Sequence, residues 1–278
     1  MPAHLTAEAV GASHCAVHIS ERPGEGPTMV LLHGIPGSSA SWDPLVQAFG
    51  AGPRLLIPDL VGFGGSDRTD DIRSLHAAGQ AEALAPALAP LLGERPVLVG
   101  HDFGGPVAIE LIARLPGRFS ALVLVSTNVL ADTPIPFPLS LVNAPLMGNL
   151  AARLLFSRLS LRMMYRQGSK RRKLDSRNGV GDSAQARAIA TIFCESLRHL
   201  PEIYGPLERA LANIDLPALV VWGDSDPFFG VDRAERTVAA LRNATMRVVD
   251  HCGHFLPEEA PEELAAAILS FVGTPRIQ

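Results

Sequence analysis

Cysteine, tyrosine and tryptophan are scarce in this chain, and each scarcity narrows what it can be. The three cysteines, Cys15, Cys194 and Cys252, lie far apart with no Cys-x-x-Cys spacing. That pattern implies neither a disulfide framework nor a zinc site. Positive charge is not in excess: the formal net charge is −4, which argues against a general nucleic-acid binder. No apolar run approaches the ~20 residues needed to span a bilayer. The N-terminus lacks the basic start, apolar core and small-residue cleavage site of a signal peptide. These absences together lead us to expect a cytoplasmic protein with no membrane or nucleic-acid partner; they leave a homo-oligomer open.

What is present is apolar mass in a regular alternation. Hydrophobic residues make up 47% of the 278 positions, enough for one large α/β domain carrying an inserted subdomain. The stretch His14 to Ile19 alternates polar and apolar residues and predicts an outer antiparallel strand, closed by Arg22-Pro23-Gly24. Buried strands are predicted at Thr28–Leu32, Arg54–Ile57, Val97–Val99, Ala121–Val125, Leu216–Trp222 and Thr245–Val249. Helical segments fall between them at Ser41–Phe49, Ser74–Leu92, Val107–Leu115 and Val231–Leu241, with Pro261–Val272 last. Such alternation predicts a mostly parallel sheet flanked by helices.

The alternation breaks near Leu130. From there to Ile214 the chain offers prolines (Pro134, Pro136, Pro138) and helix-like segments but no buried strand. We therefore expect a core of residues 1–130 and 215–278 interrupted by a helical cap at 131–214. An insertion between two parallel strands sits over their C-terminal ends, where such sheets bind ligands. A basic run within it, Arg158, Arg162, Arg166, Lys170, Arg171, Arg172 and Lys173, reads as a solvated face in preference to a membrane- or anion-facing one.

The chemistry concentrates at Gly100-His101-Asp102-Phe103-Gly104. A strand ends, the chain turns between small residues, and a helix begins, which lifts one side chain above the sheet and aims the first helical N–H groups at it. That side chain is a carboxylate, Asp102, where the common motif carries a serine. Two later loops supply partners: Gly223-Asp224-Ser225-Asp226 after one strand, and Asp250-His251-Cys252-Gly253-His254-Phe255 after the last. Asp226 and His254 are the favoured members, with Asp224 and His251 as the weaker candidates. His101 reads as a packing or hydrogen-bonding residue, Cys252 as filler, and Trp42 and Trp222 as core.

With His33-Gly34-Ile35-Pro36 and the order nucleophile, acid, histidine, nearly the whole chain resembles the α/β-hydrolase fold family. Within it the closest resemblance is to the members with an aspartate nucleophile, the epoxide hydrolases and haloalkane dehalogenases. The resemblance implies that Ile35 and Phe103 donate backbone N–H groups to an oxyanion hole, that Asp226 orients His254, and that no cofactor or metal is required.

An aspartate is ionised at neutral pH and attacks saturated carbon, giving an alkyl ester that a histidine-activated water must hydrolyse. Dehalogenases commonly carry tryptophan or asparagine N–H donors for the departing halide, whereas Phe103 follows Asp102 here and Ile35 fills the other slot. Epoxide hydrolases protonate the opened ring from cap tyrosines, and the chain's only two, Tyr165 and Tyr204, both fall in the insertion. The expected activity is hydrolysis of a small hydrophobic epoxide to a vicinal diol, with water as co-substrate. The alternatives are hydrolytic dehalogenation and a non-catalytic binding module. Phe137, Phe156, Phe193, Phe228 and Met163 are candidate pocket-lining residues.

Overall fold

The computed structural model describes residues 3–7, 15–174 and 179–273. Eight strands form one sheet: β1 (Ala3–Ala7), β2 (Val17–Arg22), β3 (Gly26–Leu32), β4 (Pro53–Pro58), β5 (Val97–His101), β6 (Ala121–Val125), β7 (Ala218–Gly223) and β8 (Ala244–Val249). Their order is β1-β2-β4-β3-β5-β6-β7-β8. The first two strands pair antiparallel, β2 meets β4 antiparallel, and every other pairing is parallel. The expected outer antiparallel strand is β2, which begins at Val17, but it is not the edge, because β1 pairs on its outer side. His14, where the sequence pattern started, lies outside the described residues.

The central strands are apolar on both faces, and their period of two sorts them into two cores. Val30, Leu32, Leu98, Leu122, Leu124 and Val220 face one side, where α3 (Ala77–Leu88) and α4 (Gly104–Arg114) cover them. Met29, Leu31, Val97, Val99, Val123 and Val221 face the other, covered by α1 (Asp43–Ala48) and the C-terminal helix Pro261–Gly273. A short helix, α2 (Ile72–Leu75), precedes α3.

One feature of the strand order places the site. From β3 the chain crosses to β4 on one side and then returns to β5 on the other. The sheet thus reverses its winding between β3 and β5, and a crevice opens at their C-terminal ends. Leu32 pairs with Gly100 across that junction, so the residues that follow each of them meet.

Between β6 and β7 lie α5 (Gly148–Leu155), α6 (Arg158–Gln167), α7 (Ser183–Arg198) and α8 (Leu200–Leu211). Side-chain caps start two of them: Ser157 accepts from the Ser160 N–H, and Asp182 accepts from Gln185 at 2.8 Å. After β7 come α9 (Val231–Ala240), α10 (Leu256–Glu259) and the C-terminal helix, α11. The insertion is bonded to the body at several points, among them Gln185 Nε2 to the Gly37 carbonyl at 3.0 Å and the Arg68–Asp182 ion pair at 3.2 Å.

Candidate active site

Asp102 occupies the turn between β5 and α4 with φ of +49°, a left-handed conformation that costs a non-glycine residue about 1–3 kcal/mol. Its backbone is held on both sides. Asp102 N–H donates to the Val125 carbonyl at 3.1 Å, while the Asp102 carbonyl accepts from Gly105 N–H and the Thr127 hydroxyl. Glycine is required twice for the turn to fit. A Cβ on Gly104 would sit 2.2 Å from the Leu32 carbonyl oxygen, and one on Gly34 would sit 2.4 Å from the Asp102 Cβ. Because Leu32 and Gly100 are in register, the chain leaving β3 brings the Ile35 N–H to Asp102 Oδ1 at 2.7 Å. Among the described residues, Ile35 but not Phe103 donates a backbone hydrogen bond to this carboxylate.

His254 arrives on the loop after β8. Its Nε2 lies 3.3 Å from Asp102 Oδ2 and its Nδ1 2.8 Å from Asp226 Oδ2. The other Asp226 oxygen accepts the backbone N–H groups of Phe228 at 2.8 Å and Phe229 at 3.1 Å. Asp226 has a side chain 0% exposed; Asp224 is exposed and instead accepts from the Ser225 hydroxyl and the Cys252 N–H. His251 is exposed as well. The structure thus brings together Asp102, His254 and Asp226 from three separate loops.

Two carboxylates around one imidazole, Asp226 buried and Asp102 partly exposed, set its charge. Burial opposes the protonated ring, but Asp226 and then Asp102 outweigh it, and His254 is pushed up to about 10. Burial would raise Asp102, yet the hydrogen bond and charge of His254, the His101 ring and the Ile35 N–H together hold it below the usual carboxylate range. The resting pair is therefore imidazolium and carboxylate. His101, buried beside them, is pushed down to about 4 chiefly by desolvation. It stays neutral and its Nε2 bonds the His254 carbonyl at 3.0 Å, so it is a hydrogen-bonding residue.

The histidine loop is also tied to the insertion. The His254 N–H donates to the Gly168 carbonyl at 2.7 Å. Glu259, 1% exposed, accepts through Oε1 from the Gly253 N–H at 2.8 Å and from the Lys170 and Arg171 N–H groups at 3.0 Å each. The Arg171 guanidinium adds hydrogen bonds to Glu263 and the Asp250 carbonyl. Sequence reasoning missed both Gly168 and Glu259. No local signal marked Glu259, which is one of four glutamates between Glu258 and Glu263.

The two tyrosines differ. Both border the cavity, but the Tyr165 hydroxyl donates to the buried Glu258 carboxylate, whose acid burial pushes up to about 7. The Tyr165 proton is thus directed at Glu258 in this structure, not at Asp102. Tyr204 also borders a smaller adjoining pocket that Asp102 and Phe103 line. Burial pushes its hydroxyl up to about 12, a Ser196 hydrogen bond works against that, and the Asp102 charge adds to it.

The cavity measures about 120 Å³ and is mostly apolar, walled by Ile35, Pro136, Phe193, Leu197, Phe228 and Phe255 among others. No lysine or arginine lines it among the described residues. Phe193 and Phe228 take the lining positions expected of them. Phe156 does not line the cavity; it stacks behind Phe193 at 5.1 Å. Phe137 and Met163 point to solvent, 79% and 52% exposed. Trp42 and Trp222 are fully buried in the core, and the Trp222 indole N–H holds the Phe229 carbonyl at 2.8 Å. Cys252 is buried, its thiol pushed up to about 12 by desolvation and then by Glu259, as inert filler would be.

Comparison with known proteins agrees with this fold. A family model described as alpha/beta hydrolase fold matches residues 27–261. A 2-hydroxy-6-oxononadienedioate/2-hydroxy-6-oxononatrienedioate hydrolase of Paraburkholderia phymatum is 29% identical, covering 95% of this chain and 93% of its own. Among solved structures, an epoxide hydrolase superposes with a TM-score of 0.77 at 21% identity over 98% of each chain. An ancestral haloalkane dehalogenase gives 0.76 at 22% identity, covering 98% of this chain and 100% of its own. Likeness to solved structures at this identity speaks for the fold alone.

Proposed function

The chain belongs to the alpha/beta hydrolase fold family, and from that premise we propose that it hydrolyses a small apolar epoxide through an alkyl ester on Asp102. The observation that carries the reading is the Asp102 carboxylate itself. It faces the cavity between the Ile35 N–H and the His254 ring, in the position from which a nucleophile attacks.

Asp102 attacks a ring carbon, the C–O bond breaks, and the alkoxide takes a proton from the Tyr204 hydroxyl. Forming the ester removes the Asp102 charge that raised His254, so the imidazolium gives up its proton and Tyr204 is reset. Neutral His254, oriented by Asp226, then takes a proton from water as its hydroxide adds to the Asp102 carbonyl carbon. The oxyanion develops against the Ile35 N–H, with Phe103 N–H as second donor at the head of α4. Collapse expels the diol oxygen, which takes the new carboxyl proton. Carboxylate and imidazolium are regenerated.

The leaving group decides between epoxide and halide. A halide needs convergent N–H donors, yet neither tryptophan lines the cavity, and the Asn128 amide bonds the Leu130 backbone and the Thr133 hydroxyl. A hydroxyl held protonated beside Asp102 suits an alkoxide better. A purely binding role is disfavoured because Asp102 and His254 both open onto the cavity. The absence of lining cations favours an uncharged substrate, and the insertion serves as the cap that excludes bulk water. Turnover in heavy-oxygen water tests the scheme: label found in the Asp102 side chain supports the ester, and label confined to product refutes it.

A further inference from the structure

Exposed apolar surface on this protein is concentrated in one stretch. Of the ten large hydrophobic residues exposed among the described residues, eight lie between Phe137 and Met163, too clustered for ordinary surface scatter. Leu150 and Leu154 stand four apart on α5, and Leu159 and Met163 four apart on α6, so each helix turns an apolar stripe outward. Their opposite faces are used: Ala152, Leu161 and Tyr165 are buried. Between and before the stripes, Leu146 is 99% exposed.

The charge of this stretch is one-sided. From Thr133 to Lys173 there is no aspartate or glutamate, in a chain whose net charge is −4. Arg171 and Arg172 pair with Glu263 and Glu262. Arg153, Arg158, Arg162 and Arg166 have no carboxylate partner among the described residues; Arg158 and Arg162 donate only to the Gly181 and Val180 carbonyls, which leaves their charge uncompensated. On α6, Arg158, Arg162 and Arg166 form the stripe adjoining Leu159 and Met163.

Short helices with an apolar stripe flanked by arginine are the chemistry of a lipid interface. We propose that the Phe137–Met163 face docks on an anionic lipid surface, with its leucines and methionines in the acyl boundary and its arginines on phosphates. Attachment is peripheral, since no helix among the described residues is long and apolar enough to cross a membrane. Leu139 of this segment, with Ile135 and Pro136 just before it, lines the cavity wall, so an apolar molecule dissolved in the bilayer reaches the cavity from its lipid side. The proposal departs from the solvated face expected from sequence, because periodicity alone did not show that the leucines between the arginines point outward. It does not depend on the chemistry at Asp102.

The test is flotation of the full chain with vesicles of phosphatidylcholine alone, or of phosphatidylcholine with a quarter phosphatidylglycerol. Binding is expected to the anionic vesicles, to weaken with added salt, and to fall by a factor of about five for each of Arg153→Gln and Arg166→Gln. Leu146→Asp with Leu150→Asp should abolish it. These side chains stand in solvent, so circular dichroism should show an unchanged fold. Failure to bind either vesicle overturns the proposal, as does binding that the leucine pair leaves intact. Self-association lost in the leucine pair, without vesicle binding, would assign the face to a second copy instead.

Discussion

The backbone N–H of His254 donates to the carbonyl of Gly168 at 2.7 Å, so the histidine that we propose activates water is held by the insertion as well as by the core. A Cβ on Gly168 would come within 2.3 Å of the Phe255 ring, which keeps the contact tight. The insertion and the histidine loop are thereby one mechanical unit. Glu259 closes that unit by bonding both strands of the contact.

Glu259→Gln should loosen the unit. Glutamine keeps one oxygen to accept the three backbone N–H groups but loses the negative charge that strengthens them, at a cost of about 1–3 kcal/mol. Thermal unfolding should register a lower midpoint. Stopped-flow kinetics should show alkylation of Asp102 nearly unchanged and hydrolysis of the ester slowed, because only the second step uses His254 as base. Equal slowing of both steps would deny Glu259 a positioning role.

Asp102→Asn should release the histidine. His254 is pushed up to about 10 with Asp102 charged, and a neutral amide removes one of its two carboxylates. Titration by imidazole NMR should find the ring moved down toward its ordinary value of about 6.5. The sign for stability follows from the raised value. In the unchanged protein this contribution is fully present below about 6.5 and is lost as pH rises through about 10. The variant should lose less stability across that window.

The tyrosines should separate by phenotype. Tyr204→Phe removes the proton donor beside Asp102 and should slow ring opening by about 10²–10⁴ with little change in unfolding. Tyr165→Phe leaves buried Glu258 without its donor and should instead destabilise by about 1–3 kcal/mol, with a smaller effect on ring opening. A reversed pattern would assign the proton to Tyr165.

How much of this was legible in the sequence varies with the range of the interaction. Asp102 was readable because its strand, small-residue turn and helix are contiguous. Strands β5, β6 and β7 were readable because burial on both faces leaves an unbroken apolar run. The pairing of His254 with Asp226 in preference to Asp224 was half legible, since loop position narrows the choice but only the fold shows which carboxylate is buried. The Gly168–His254 and Tyr165–Glu258 contacts had no local signal. Each joins the insertion to a loop far along the chain, and the burial that makes them matter exists only after folding. β1, Ala3–Ala7, went unread because only Leu5 is a strongly apolar residue among two alanines, His4 and Thr6.

The most direct measurement is intact-protein mass spectrometry of a His254→Gln variant incubated separately with small epoxides and small haloalkanes. Without the base, the ester on Asp102 should persist. The account predicts a mass gain equal to the whole epoxide, absent once Asp102 is also changed to alanine. A gain equal to the haloalkane less its hydrogen halide, with every epoxide silent, would contradict the epoxide reading; no adduct from either series would contradict the nucleophile itself.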